Sequence, residues 1–375
     1  MDKPKKFLIG QLGCFGDCLY ATTIAKQIKH DYPNSHVTWA VHKKYKSILE
    51  LNPHIDEFWI IENPDLYDDG WLEFENEALR RKKQGIFDEV IFSQIGSYNF
   101  IRFDGTIRST ILNAYKNKIT VDASPVIRLS DKEVETVKIF AERNNLSKYK
   151  HVVLFECSPG SGQSNMNFDL ALEISKEITK NNSDVCFVLS TLNEIEEHNP
   201  QIISAKALSF RENAELTKYC TLLLGCSSGI TWLSTSDWAK KLPTIQVLND
   251  EFYIFAGVSY DSEKCGKSLE VVELLNPNKE KIISCLENYF SSDIQNVKSK
   301  FHEIYRPSLQ HFYMVRNGYL KQKYGPFKLY RFAKSYHKRN PHLDFAEILK
   351  IAFKITNLQN KKNDFMKKIN KNDGK

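Results

Sequence analysis

The chain opens on an apolar run, Phe7-Leu8-Ile9, that passes into a glycine-spaced turn from Gly10 to Gly16, after which Leu19, Ile24 and Ile28 recur at helical spacing. This pattern predicts a buried strand, a tight loop and a helix reaching about His30. The alternation continues through strand-like Val37–Val41, a helical stretch around Tyr45–Leu51 and strand-like Phe58–Ile61. The polar loop Glu62–Gly70, a helix near Leu72–Gln84 and the strand Glu89–Phe92 follow. Short apolar runs alternating with helices are βαβ units, which build a parallel sheet. The helical stretch Asp131–Asn145 and the polar residues to Lys150 close this first domain, residues 1–150.

The pattern then restarts. Val152-Val153-Leu154-Phe155 leads into a loop from Glu156 to Ser164, followed by a helix over Phe168–Thr179 and the strand Val185–Leu189. Leu222-Leu223-Leu224 runs into Gly225-Cys226-Ser227-Ser228-Gly229-Ile230-Thr231-Trp232, and Thr244–Leu248 reads as a further strand. The expected fold class is therefore α/β, with a second Rossmann-like domain over residues 151–294. Each domain carries a Gly/Ser-rich loop after a strand, which places a ligand cleft between them.

From Gln295 onward the character changes. Here 19 Lys and Arg face only 5 Asp and Glu, although the whole chain has a net charge of only +6. Helical patches such as Phe345, Ile348, Leu349, Ala352 and Phe353 predict a basic helical extension over residues 295–375. Two readings stay open: a helix packing its apolar stripe on the body with lysines outside, and a peripheral helix on an anionic membrane.

Hydrophobic content of 42% and charged content of 26% are those of a globular protein. No apolar run approaches the ~20 residues of a membrane span. The apolar segment after the basic N-terminus is too short for a signal peptide, so the expected home is the cytoplasm, or the inner face of the cell membrane. The eight cysteines form no Cys-x-x-Cys pair, which predicts free, mostly core thiols rather than zinc or disulfides.

Four segments, in order, carry a family resemblance. They are Leu12-Gly13-Cys14-Phe15-Gly16-Asp17, Tyr32-Pro33-Asn34-Ser35-His36-Val37-Thr38-Trp39, Asn52-Pro53-His54-Ile55-Asp56, and Leu208-Ser209-Phe210-Arg211-Glu212. Together they resemble the heptosyltransferase-like glycosyltransferases of family 9 over roughly residues 5–290. The resemblance implies a GT-B fold, two Rossmann-like domains facing across a cleft, with a nucleotide-sugar donor held mainly by the second. It also implies a glycan or glycolipid acceptor, such as lipooligosaccharide, lipopolysaccharide or capsule. The chain departs from the family pattern where Gln163-Ser164-Asn165-Met166-Asn167 has neither lysine nor tryptophan. Ser227-Ser228-Gly229-Ile230-Thr231-Trp232 likewise lacks the family's acid and histidine, so heptose as donor sugar does not transfer.

Sugar transfer needs a base for the acceptor hydroxyl and stabilisation of the departing diphosphate. The resemblance makes Asp17 the base in an inverting displacement; the plainer reading has Asp17 capping its helix. Ser227, Ser228, Gly229 and Thr231 stand at a strand-to-helix junction whose amides attract phosphate, or simply cap. Gly160, Ser161, Gly162, Gln163 and Ser164 form the second candidate phosphate loop, and Ser209, Phe210 and Glu212 are candidates to border base or ribose. Arg211 is a candidate to pair with phosphate, the plainer reading being a solvated surface arginine. Gly13, Gly16, Gln94 and Ser97 are the acceptor-side candidates. With no Asp-x-Asp in the chain, neither a metal nor another cofactor is expected, and no nucleic-acid partner either. An epimerase of the same shape and a non-catalytic glycan-binding protein remain the alternatives.

Overall fold

Phe7, Leu8 and Ile9 are buried on both faces of the strand they form, as a central parallel strand requires. The computed structural model describes residues 3–96, 105–160, 162–196, 199–252, 254–321 and 325–354. In the first 92 residues β1 (Lys6–Gly10), β2 (His36–His42), β3 (Glu57–Ile61) and β4 (Glu89–Phe92) form an all-parallel sheet in the order β3-β2-β1-β4. It is crossed by α1 (Phe15–Asp31) and α2 (Asp69–Lys83), while α3 (Ile107–Leu112) packs on α1.

After α4 (Asp131–Arg143), a second sheet is built from β5 (His151–Glu156), β6 (Val185–Ser190), β7 (Ile202–Ser204), β8 (Leu222–Gly225), β9 (Thr244–Leu248) and β10 (Val271–Leu275). Its order is β10-β9-β8-β5-β6-β7, again all parallel. This is the complete doubly wound order, with its direction reversing between β5 and β8. Between its strands lie α5 (Phe168–Asn181), α6 (Asn213–Leu216), α7 (Gly229–Ser234) and α8 (Val258–Lys264), followed by α9 (Lys279–Ser291). The sheet has two strands beyond those the sequence predicted. β7 is only three residues long, and the apolar run of β10 is interrupted by Glu273. The helix α4, expected to close the first domain, packs against α6 of the second.

The chain divides into two compact units, residues 1–307 and 308–375. The helix α10 (Ile294–Phe301) belongs to the first; it lies against β10, with Ile294 and Val297 in the second sheet's core. In the second unit, α11 (Leu309–Lys321), α12 (Pro326–Arg339) and α13 (Phe345–Phe353) pack together. Phe312 stacks on Phe332 at 5.8 Å and meets Tyr336 at 4.7 Å, and Ile348 and Ala352 of α13 are buried. No helix among the described residues is long and apolar enough to cross a membrane.

Candidate active site

The loop after β1 is fixed from below. The buried Gln94 side chain accepts from the Leu12 and Gly13 amides at 2.8 and 3.0 Å and donates to the Leu66 carbonyl. Gln94 therefore holds this loop and is not an acceptor contact, which corrects the expectation. A Cβ at Gly13 would stand 2.7 Å from a Leu66 methyl, which would have to shift to admit it. Gly16 faces the second lobe, where its Cβ direction points at Trp232 across an ordinary 3.5 Å. Ser97 and Ser161 lie outside the described residues.

Cys14 turns the chain into α1 at φ 59°, a conformation that non-glycine residues rarely adopt. Its thiol lies 3.0 Å from the Tyr67 hydroxyl. Asp17 sits in the first turn of α1 and is half-buried. Among the described residues its carboxylate accepts no hydrogen bond, and no side chain caps this helix, so the capping role is not realised. Loss of water raises its pKa to about 7 with no cation to oppose it. A carboxyl at that value is half ionised near neutrality, as a general base should be.

Residues beside Asp17 reach the second lobe. Phe15 stacks on Phe210 with ring centres 4.6 Å apart, and Tyr20 meets Trp232 edge-on at 4.8 Å. The buried pair Arg108–Asp261, 2.9 Å apart, joins α3 to α8, with the guanidinium also over both of those rings. Arg211 is buried rather than solvated. It forms a two-pronged pair with Glu133 at 2.5 Å on each arm and donates to the Ser47 carbonyl at 2.8 Å. The Glu212 carboxylate accepts from the Ser209 amide at 2.6 Å. Glu212 thus shapes the turn that presents Phe210.

At the carboxyl ends of β5 and β8, where a doubly wound sheet normally receives a phosphate, the protein has placed a side chain of its own. Glu156, 3% exposed, ends β5. One oxygen accepts from the Cys226 amide (2.7 Å), the Ser228 amide (3.3 Å) and the Thr231 hydroxyl (2.6 Å). The other accepts from the Ile230 and Thr231 amides at 2.8 and 3.2 Å. Ser227, at φ 52°, donates its amide to Gln246 and its hydroxyl to the Ala256 carbonyl. Gly225 makes room for this network, because a Cβ there would lie 2.3 Å from Gln246 and 2.5 Å from Thr231.

The expectation that Ser227 and Thr231 grip a diphosphate is therefore corrected, because their donors are spent inside the protein. The Ser228 hydroxyl and the Gly229 amide alone of this set make no hydrogen bond to described residues. The predicted loop at 160–164 is partly structural. Phe252 fills the space where a Gly162 side chain would go, and the Asn249 amide donates to the Gln163 carbonyl at 2.8 Å. The buried Ser164 hydroxyl accepts from the Met166 amide, whereas Gly160 is exposed with open space around it. Glu156 and Gln246 were not anticipated. The available signal was a charged residue closing the apolar run Val152–Phe155.

No protein-family profile and no curated protein sequence matches the chain. Among solved structures it is similar to a glycosyltransferase family 9 protein from Veillonella parvula, with a TM-score of 0.53 at 13% identity over 80% of this chain and 97% of that one. It is also similar to a Listeria monocytogenes protein provisionally assigned as a UDP-N-acetylglucosamine 2-epimerase, with a TM-score of 0.50 at 11% identity over 84% of this chain and 96% of that one. The chain thus has the GT-B fold: two Rossmann-like lobes whose strand ends face one another.

Proposed function

We propose that the chain is an inverting, metal-independent glycosyltransferase that moves a sugar from a nucleotide-sugar donor to a bacterial surface glycan, with Asp17 as general base. The acceptor class is lipooligosaccharide, lipopolysaccharide or capsule. The supporting fold is one it shares with a family 9 glycosyltransferase. The observation that carries the reading is the unbonded, desolvated Asp17 carboxyl in the first turn of α1, which touches the second lobe through Phe15 and Gly16.

In this reading the Asp17 carboxylate takes the proton of the acceptor hydroxyl as its oxygen attacks the anomeric carbon. The bond from that carbon to the diphosphate oxygen breaks on the opposite face, inverting the centre. The Ser228 hydroxyl and Gly229 amide are the groups of the β8–α7 turn open to the departing charge. The ring contacts Phe15–Phe210 and Tyr20–Trp232 limit water in the crevice.

The buried Glu156 favours a second reading, a non-catalytic glycan-binding protein, because it occupies amides a diphosphate would use. One experiment separates the readings. Purified protein is incubated in excess chelator with a panel of nucleotide sugars, with and without a glycolipid acceptor, and the products are identified by mass spectrometry and anomeric NMR. Transfer with inversion supports the proposal. A changed sugar without acceptor indicates an epimerase, and glycan binding with no turnover supports the second reading.

A further inference from the structure

The second compact unit carries an exposed basic face. Along α12, Leu329, Phe332, Ala333 and Tyr336 are buried against the neighbouring helices. The opposite side shows Phe327, Arg331, Lys334 and Lys338, at steps of four, three and four residues, which is one face of a helix. Phe327 is 72% exposed and Tyr330, at the edge of the same face, 40%. The guanidinium of Arg331 lies 5.9 Å from the Phe327 ring centre. From Pro326 to Arg339 there is no acidic residue.

We propose that this outward face of α12 rests on an anionic phospholipid bilayer, with Arg331, Lys334 and Lys338 at the headgroups and Phe327 entering the acyl boundary. Charge complementarity selects an anionic partner, since three cations share the face without a carboxylate of their helix. The exposed phenylalanine selects a bilayer over a nucleic acid, because it offers apolar area and the face presents no amide side chain to read a base edge. The surface differs from the one the sequence suggested: the apolar stripe of α13 points inward through Ile348 and Ala352, and α12 supplies the exposed face. The proposal does not rest on the transferase reading, so either can fail alone.

The test is co-sedimentation of the full chain with large vesicles of phosphatidylcholine, with and without phosphatidylglycerol. Binding is expected only to the anionic vesicles. Each Lys or Arg near such a surface contributes about 1 kcal/mol, so the triple variant Arg331→Gln, Lys334→Gln, Lys338→Gln should partition on the order of a hundredfold more weakly. Phe327→Ser should weaken it roughly tenfold or more. Raising salt from 0.1 to 1 M cuts the screening length from about 10 to about 3 Å and should release the unaltered chain, a readout that needs no variant. Equal binding to neutral vesicles, undiminished binding by a folded triple variant, or retention on single-stranded RNA with none on vesicles would each overturn it.

Discussion

Replacing Glu156 by alanine removes the acceptor for four backbone amides and one hydroxyl in a site where that side chain is 3% exposed. A buried donor left without a partner costs about 1–3 kcal/mol. Water entering the vacated space could serve the Ser228 and Thr231 amides, whose bonds are the longest at 3.3 and 3.2 Å. The Cys226 amide, the Ile230 amide and the Thr231 hydroxyl then remain, and their loss sums to about 3–9 kcal/mol. At roughly 2–4 °C per kcal/mol for a domain of this class, Tm should fall by at least ~6 °C. Glu156→Gln, which keeps one acceptor oxygen and turns an NH2 toward donors, should fall between. The assay is thermal and guanidinium unfolding followed by circular dichroism, paired with calorimetric titration of nucleoside diphosphates. If those amides were instead a donor phosphate site that Glu156 merely fills, its removal would leave Tm unchanged and tighten nucleotide binding. That outcome would refute the structural role assigned here.

Three other perturbations follow from the same geometry. Arg211→Ala leaves the partly buried Glu133 carboxylate only its Ser130 donors and strands two carbonyls, and should cost about 3 kcal/mol in guanidinium unfolding, toward the low end for a buried pair because Glu133 keeps those donors and some solvent. Asp17→Asn should raise Tm at pH 8 and leave it nearly unchanged at pH 4. The folded pKa of about 7 lies above the ordinary 3.8, so the folded state holds its proton more tightly. Stability from that carboxyl is present at low pH and is lost as pH rises through 7, a loss the amide does not suffer. Transfer activity, once a donor is found, should persist in excess chelator, and complete loss restored by manganese would contradict metal independence.

Much of the architecture was legible because central parallel strands are continuous apolar runs bounded by turn residues. β1, β2, β3, β4, β5, β6, β8 and β9 all announce themselves that way. The strands that did not are β7, too short to show a period, and β10, whose Glu273 breaks the run while accepting from the Val258 and Ser259 amides. The site was less legible, because its polar residues are defined by partners distant in sequence. Gln94 serves a loop 81 and 82 positions away, and Arg211 reaches Glu133 across 78 positions and Ser47 across 164. Local pattern cannot distinguish such a residue from a surface one. Glu156 shows the same limit: its position at a strand end was visible, but the amides it binds lie 70 to 75 residues onward.

The central claim is that a desolvated carboxyl in the first turn of α1 drives sugar transfer. Its most direct test is the pH dependence of kcat/KM for transfer by the unaltered chain and by Asp17→Asn, with nucleotide affinity measured in parallel. The account predicts a limb that rises with pH through about 7. In the variant the rate should fall by about 10²–10⁴-fold and the limb disappear, with nucleotide binding intact. A variant that keeps both the rate and the limb would contradict it.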